Sequence, residues 1–396
     1  MKKVLLSLVA ILLCLSLAGC SGKPADTAEE TVEEDVLHLV AIQQQNNDAG
    51  QKAGFLIPKY VEYINENGGV MGRKLVIDIL DSGDDQQTYI NAYQKAVNTE
   101  GVDGIIGHYQ GPWDIAAADI ANEYKIPTIN LCCNRTNLEL SEYYFITRAV
   151  TPGVTDAWAQ VAIDKGMTHP VFVAQNIDNS ITAHEQFKAY FADKGVTYTD
   201  DDVIYFDYAS TDWNPIALAA LEHEGDGIII SGTVDDDGQQ INLLLSKYGN
   251  TKPVCLCEAQ MDPKLSGYIG GEAVEGDFGL CMWSPDVDTQ ENKDYLEMVK
   301  GWGFEDKFGA VSWSDPVLWD SIQIFMKAAE VAGDTTAEAL FKGMTDTSWE
   351  LQGVLSSFRA NVDHCFNDHV YVAEFKDGNV VLTGETVPVN HTPIEW

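Results

Sequence analysis

The chain has 396 residues, which is enough for two domains of ordinary size. Hydrophobic residues make up 45% and charged residues 21%, values typical of a globular protein with a sizeable core, so global disorder is excluded. The formal net charge is −37, because 24 lysines and arginines oppose 61 aspartates and glutamates. A body this acidic repels phosphate backbones, so nucleic acid is excluded as a partner.

From residue 36 the chain alternates short apolar runs with amphipathic stretches, the pattern of βαβ units and a parallel sheet. In a first lobe, helical periodicity separates predicted strands at 36–42, 75–80, 102–106 and 126–131. The rhythm restarts after Pro152, and a second lobe has predicted strands at 171–174, 203–206, 227–230 and 254–256. The predicted fold class is α/β, with two doubly wound, Rossmann-like lobes joined by a hinge of crossover strands.

Beyond residue 281 the pattern changes, with helices predicted at 295–299, 317–331 and 337–341 and a closing β-hairpin at 370–382. Helices without strands need a sheet to cover, so the chain is expected to return to the first lobe. The first lobe is therefore predicted to comprise 36–150 and 282–350. The second is predicted to comprise 151–281 and 351–396.

The N-terminal segment has the pattern of an export signal. Two lysines precede an almost wholly apolar run that is shorter than the roughly 20 residues a membrane-spanning helix needs. The segment Leu17-Ala18-Gly19-Cys20 resembles the lipobox of bacterial lipoproteins. The resemblance implies that a signal peptide, residues 1–19, is removed and that Cys20 becomes the acylated N-terminus.

After Cys20, residues 21–35 have Ser, Gly and Pro at the start and then a run of acids, so 20–35 is predicted to be the acylated cysteine plus an extended acidic tether. We therefore expect an exported protein on the outer face of the cytoplasmic membrane or in the periplasm. Its only membrane attachment would be the lipid on Cys20, because the later apolar stretches are strand-sized.

Four segments together resemble a known family. They are YINENGGVMGRKL at 63–75, VDGIIGH at 102–108, TNLELS at 136–141 and EAVEG at 272–276. Their order and spacing are similar to those of type I periplasmic binding proteins, in the leucine/isoleucine/valine-binding branch that serves ABC importers. The resemblance implies two lobes that close on a small solute by hinge motion.

The resemblance also implies a set of ligand-binding residues. In the family, hydroxyls and backbone amides of the first lobe hold the ligand's carboxylate, and Thr136 matches the family's threonine, with Asn134 as the alternative. A second-lobe carboxylate holds the ligand's ammonium, and Glu258 is in the matching position. The predicted ligand-binding residues are Gln44, Gln45, Tyr109, Gln110, Trp113, Cys133, Asn134, Thr136, Asn179, Ser180, Asp235 and Glu258.

Some of these positions depart from the family pattern. Trp113 stands where the family prefers a small hydroxyl residue, and Ser180-Ile181 replaces a tyrosine–glycine pair. These departures predict an amino-acid-like or related small solute, without specifying a branched-chain amino acid. In the alternative interpretation, Glu258 is a solvated loop acid and Trp113 packs within its own lobe.

Cysteine is the remaining unusual residue type. Of the eight cysteines, Cys14 would be lost with the signal and Cys20 acylated, which leaves Cys132, Cys133, Cys255, Cys257, Cys281 and Cys365. Outside the cytoplasm these are compatible with disulfides or with free thiols, and the pairing is not encoded in the spacing. The spacing also differs from that of structural zinc sites, so no metal is predicted.

Motifs of enzymes are absent from the sequence: it contains no P-loop, no G-x-S-x-G and no complete H-E-x-x-H. The sequence therefore predicts neither catalysis nor a cofactor. It predicts a monomeric solute-binding protein that works with an ABC permease and ATPase complex. Alternatively, the same fold presents the solute to a chemoreceptor or sensor.

Overall fold

The computed structural model describes residues 36–151, 153–207, 210–232, 237–262 and 271–396, with the side chains of 271 and 272 left out. The predicted signal peptide, Cys20 and the acidic tether lie outside these residues, as does Asp235. Within the described part of the chain, no helix is both long enough and apolar enough to cross a membrane.

The first lobe is built on five parallel strands in the order β2-β1-β3-β4-β5. They are β1 (Val36–Gln43), β2 (Lys74–Asp81), β3 (Gly104–Ile106), β4 (Thr128–Asn130) and β5 (Tyr144–Ile146). Alternate residues of β1 face opposite sides of the sheet. Leu39 belongs to one buried cluster and Val40 to another, so both faces of this sheet are covered by apolar layers.

The second lobe is built on a seven-stranded sheet in the order β14-β13-β10-β9-β8-β6-β7. The later strands of the chain are β6 (Pro170–Gln175), β7 (Val203–Phe206), β8 (Gly227–Ser231), β9 (Val254–Leu256), β10 (Phe278–Cys281), β11 (Glu350–Gln352), β12 (Ser357–Arg359), β13 (His369–Lys376) and β14 (Asn379–Pro388). β13 and β14 form an antiparallel hairpin at one edge, and β11 and β12 form a separate small sheet. The predicted α/β class with two doubly wound lobes is confirmed.

Helices cover both sheets. In chain order they are α1 (Asp48–Glu66), α2 (Gln86–Val97), α3 (Gly111–Tyr124), α4 (Arg135–Leu140), α5 (Gly153–Asp164), α6 (Asp178–Lys194), α7 (Asn214–Glu222), α8 (Asp237–Lys247), α9 (Gln290–Gly301), α10 (Phe304–Phe308), α11 (Ser314–Ala332) and α12 (Ala337–Thr345). Short 3₁₀ helices lie at Asp200–Asp202 and Gly271–Val274. α9 to α12 pack with α1 in one buried cluster of the first lobe, so the chain returns to that lobe as the helical pattern predicts.

The start of α1 fixes the loop that follows β1. The Asn47 side chain accepts a hydrogen bond from the Gly50 amide at 2.8 Å and caps the helix. Gly50 permits close contact here, because a Cβ at this position would lie 1.9 Å from the Gln44 carbonyl oxygen. The loop therefore lies directly against the first turn of α1.

The chain crosses between the lobes at several points. Cys281 packs in a second-lobe cluster and Met282 in a first-lobe cluster. Val354 and Phe366 also pack in the first-lobe cluster, although the predicted second lobe includes 351–396. Val370 is the next residue of the chain in a second-lobe cluster, so by packing the return lies between Phe366 and Val370.

The last residues connect the two lobes once more. We call residues 389–396 the C-terminal strap. Val389 packs in a second-lobe cluster, whereas Ile394 packs against a first-lobe cluster. Trp396 donates from Nε1 to the Leu138 carbonyl at 2.8 Å, and Arg135 donates to the carbonyls of residues 392 and 393. The strap therefore fastens α4 of the first lobe to the end of β14.

Candidate ligand-binding cleft

A cleft between the lobes lies at the carboxyl ends of the parallel strands, where open α/β sheets bind ligands. Its main compartment has a volume of about 520 Å³. The first lobe contributes Gln110 and Asn134, from the loops after β3 and β4, and the second lobe contributes Asn179 and Glu258, from the segments after β6 and β9. Both lobes therefore form its walls.

A second compartment, of about 300 Å³, adjoins the first. Tyr109, Gln110, Ala259 and Trp313 line both compartments, so the two are continuous. The second compartment extends toward Gln44 and the start of α1.

An ion pair joins the two walls of the main compartment. Nη2 of Arg148, in the first lobe, lies 3.5 Å from Oε1 of Glu258, in the second. The two side chains are only 6% and 11% exposed, so both charges are largely removed from water. Charges buried in this way interact more strongly than a surface pair, but each also needs good hydrogen-bonding partners.

The Arg148 guanidinium is held in place by stacking. Its Cζ lies 4.2 Å from the centre of the Trp313 ring, a cation–π distance. Nη1 lies 3.5 Å from the Leu131 carbonyl, and Nε has no hydrogen-bond partner. Arg148 is thus fixed in position while much of its hydrogen-bonding capacity is unused.

The loop after β4 contacts the opposite wall directly. Nδ2 of Asn179 lies 3.6 Å from Sγ of Cys133, so the two lobes touch at this point also. The neighbouring Asn134 caps α4 by accepting from the Thr136 amide at 2.9 Å. This bond fixes the Asn134 side chain at the edge of the cleft.

Of the predicted ligand-binding residues, seven line the cleft. They are Gln44 in the second compartment, Tyr109 and Gln110 in both, and Cys133, Asn134, Asn179 and Glu258 in the main one. Tyr109 is tied to its own lobe, because its hydroxyl donates to the Ser314 carbonyl at 2.9 Å.

The other predicted residues lie elsewhere. Gln45 and Thr136 are exposed outside the cavity walls, and Ser180 is buried in α6. Trp113 stacks on His108, with ring centres 4.8 Å apart, and does not line either compartment. Its position matches the alternative interpretation, in which it packs within its own lobe.

Arg148, Trp313 and Gln175 line the cleft but were missed by the sequence analysis. Arg148 follows β5, where no strand was predicted. Trp313 precedes α11 and belongs to the returning segment, whose contact with the cleft depends on the tertiary fold. Gln175 ends β6 and donates to the Asp237 carboxylate at 2.7 Å. Gln175 could have been predicted from the sequence, because it is a polar residue directly after the predicted strand 171–174.

The six cysteines in the described part of the chain are free thiols. Cys132, Cys133 and Cys257 line the main compartment. Burial raises the pKa of Cys133 and raises that of Cys257 to about 12. These side chains therefore line the cleft as neutral, weakly polar groups at pH 7.

A group of potential metal ligands lies outside the cleft, on the second lobe. His184, Glu185 and Asp200 place their ligand atoms within 4.8 Å of one another. Lys188 already occupies this place, because its Nζ lies 2.8 Å from the Glu185 carboxylate and 2.6 Å from that of Asp200. The group is thus an ion-paired surface cluster.

The sequence pattern of a family described as periplasmic binding protein matches residues 57–379. The chain belongs to the periplasmic binding protein family. This is a family of binding proteins rather than enzymes, and membership indicates an extracytoplasmic location. The family expected from the four sequence segments is confirmed.

Individual relatives agree with this assignment. The chain is 26% identical over 232 residues to Leu/Ile/Val-binding protein homolog 6 of Brucella abortus (strain 2308). That match covers 58% of this chain and 55% of the relative, so it spans little more than half of the relative's length.

Two crystal structures show the same fold. The leucine-binding protein LivK of Thermotoga maritima MSB8 has a TM-score of 0.72 and 20% identity, over 90% of this chain and 99% of that one. An ABC transporter solute-binding protein of R. palustris in complex with 4-hydroxybenzoate has a TM-score of 0.78 and 18% identity, over 90% and 98%.

Proposed function

We propose that this protein is the lipid-anchored solute-binding protein of an ABC importer and that it captures a small, amino-acid-like or related solute. The observation that carries the proposal is the cleft, whose walls come from both lobes and meet through Arg148 and Glu258. A solute in this position contacts both lobes at once. Its binding energy therefore favours the closed arrangement, which the importer recognises.

The chemistry of the cleft suits a small organic solute. It combines an aromatic wall at Tyr109 and Trp313 with amides and charged groups, as ligand pockets commonly do. The named relatives are described as binding leucine and 4-hydroxybenzoate, which are both small carboxylates. The R. palustris protein is described as part of an ABC transporter, which favours the importer over a sensor as the partner.

The proposal assigns partners and an anchor. The partners are an ABC permease and ATPase complex, and the binding protein acts as a monomer. The anchor is acylated Cys20 after removal of residues 1–19, with 20–35 as the tether. Glu258 is proposed to hold a cationic group of the solute.

Uptake and binding measurements test the transport role. Calorimetric titration of the purified protein against the common L-amino acids and aromatic acids is expected to give at least one solute with a dissociation constant in the micromolar range or below. A strain that lacks the gene is expected to lose high-affinity uptake of that solute. Unchanged uptake in the deletion strain would contradict the importer role.

Metabolic labelling with a palmitate analogue tests the anchor. The wild-type protein is expected to incorporate the label and to fractionate with membranes, and Cys20→Ser is expected to do neither. Labelling that persists in Cys20→Ser would contradict the proposed anchor.

A further inference from the structure

Arg148 has the properties of an unfilled anion-binding group. A guanidinium has five N–H donors. In this structure its two hydrogen-bond contacts, to the Leu131 carbonyl and to Glu258, are both 3.5 Å long, and Nε has no partner. The side chain is 6% exposed, so water does not supply the missing bonds freely.

Arg148 is also placed where a solute would meet it. Arg148 lines the main compartment, and stacking on Trp313 covers one face of the guanidinium. A planar guanidinium can bind two oxygens of one anion through two parallel N–H bonds.

We infer that Arg148, stacked on Trp313, is the residue that binds the carboxylate of the solute. This inference rests on the proposed solute-binding function. It replaces the family expectation for Thr136, which is exposed outside the cavity wall and whose amide bonds to Asn134. It also makes Arg148 a determinant of specificity, because a solute without a carboxylate leaves the guanidinium unsatisfied.

The charge of the cleft selects a singly charged group over phosphate. Among the described residues that line either compartment, Arg148 is the one lysine or arginine, whereas Glu258 and Asp178 are acidic residues of the same compartment. A phosphate dianion would bring two negative charges beside Glu258 with a single cation to offset them. A zwitterionic amino acid brings one carboxylate for Arg148 and one ammonium for Glu258, so it adds no net charge to the compartment.

The test compares each acid with its carboxamide on the full chain in detergent. The probes are L-leucine, L-phenylalanine and 4-hydroxybenzoate with their amides, together with inorganic phosphate, ribitol and putrescine. The readouts are differential scanning calorimetry and titration calorimetry. At least one acid is expected to bind, with its amide at least about 100-fold weaker, because a buried charge left without its partner is costly. Phosphate, ribitol and putrescine are expected not to bind.

Variants assign the effect to Arg148. Arg148→Gln is expected to weaken binding of that acid by about 100-fold, whereas Thr136→Val leaves it within about twofold. Arg148→Lys keeps the charge but not the two-pronged geometry and is expected to lie between. The double variant Arg148→Gln/Glu258→Gln leaves no unpaired charge and serves where Arg148→Gln alone does not fold. Its reference is Glu258→Gln, because Glu258 is itself proposed to hold a cationic group of the solute.

The outcomes separate the inference from the function on which it rests. Binding of an acid that withstands the double variant, or equal binding of its amide, overturns the assignment of Arg148. If only ribitol, putrescine or phosphate binds, the carboxylate site is wrong while solute binding stands. If none of the probes binds, the carboxylate site is overturned and the amino-acid-like solute of the proposed function falls with it.

Discussion

The two lobes line the same cleft with different chemistry. The first lobe contributes a cation, Arg148, and aromatic rings at Tyr109 and Trp313, all held by contacts within that lobe. Both lobes contribute amides to the main compartment, but the second adds two acids, Asp178 and Glu258, and none of its described lining residues is aromatic. The difference implies that the first lobe presents a rigid, preformed surface, whereas the second supplies negative charge.

Two buried tryptophans, one in each lobe, give the strongest test of this difference. Trp313 and Trp158 are each 4% exposed, and Trp158 packs on Phe172 and Phe187 in the second-lobe core. Substitution of either by alanine is expected to lower the free energy of unfolding by about 3–5 kcal/mol. Only Trp313→Ala is expected to weaken solute binding as well, because only Trp313 supports Arg148.

Calorimetric melting and titration measure the two effects separately. The milder variants Trp313→Phe and Trp158→Phe serve where the alanine variants do not fold. If the Trp313 and Trp158 variants lose the same affinity for the solute, the first-lobe wall contributes no more to binding than the second-lobe core does.

A double-mutant cycle on Arg148 and Glu258 tests the electrostatic link between the lobes. Each single glutamine variant leaves one buried charge unpaired and is expected to lose about 3 kcal/mol of stability. The double variant is expected to recover at least about 1 kcal/mol relative to the sum of the singles.

The surface pair Lys165 and Glu374 is the matched control for that cycle. Its charged atoms lie 3.9 Å apart, but its side chains are 38% and 36% exposed. A coupling below about 0.5 kcal/mol is expected there. If urea unfolding gives the same coupling for both pairs, the link across the cleft is no stronger than a surface ion pair.

The C-terminal strap provides a smaller test, at the edge of the first-lobe wall. Trp396→Ala removes the bond to the Leu138 carbonyl and the ring contact with His364, whose centre lies 4.3 Å away. A loss of about 1–2 kcal/mol and faster hydrogen exchange in α4 are expected. Val362→Ala, at a side chain of similar exposure, is the control and should leave α4 protected.

The pH dependence of stability tests one buried acid in each lobe. Burial raises the pKa of Asp277, in the second lobe, and of Asp320, in the first, to about 7 from an ordinary value of 3.8. The folded protein therefore holds protons that the unfolded chain releases, and stability falls as pH rises from about 4 through 7.

Between pH 6 and 7.5, the free energy of unfolding of Asp277→Asn should fall by about 1 kcal/mol less than that of the wild-type protein. Asp320→Asn should instead destabilise at every pH, because both Asp320 oxygens accept backbone N–H bonds, from Val354 and Leu355. Melting temperatures across this range distinguish the two, with exposed Asp193→Asn as the control. A slope that is unchanged in Asp277→Asn would contradict the assignment.

The sequence predicted the fold well because long apolar strands and periodic helices dominate it. The elements it missed, such as β5, α4 and β11, have three to six residues. The equally short strands β3, β4 and β9 were predicted because each falls in an apolar run at the position that the alternation of strands and helices requires. The same limit applies to the cleft. Both Glu258 and Arg148 line the cleft. Glu258 follows a predicted strand and was predicted to bind the ligand, whereas Arg148 follows β5, which was not predicted.

Two tryptophans show what local sequence does not encode. Trp113 lies in the first turn of α3, beside predicted binding residues, yet it stacks on His108 away from the cavity. Trp313 lines the cleft together with its neighbours Ser312 and Ser314, and this segment reaches the cleft only because the chain returns to the first lobe after Cys281. Contacts of this kind depend on tertiary packing rather than on spacing.

The stacking of Arg148 on Trp313 has a further consequence, for optical detection. An indole ring that is 4% exposed and lies 4.2 Å from a cation emits in a field set by that cation. An anion arriving at Arg148 changes this field, so the intrinsic fluorescence of the protein should shift as the cleft fills. Solute binding could then be followed by tryptophan fluorescence, without a dye or a label.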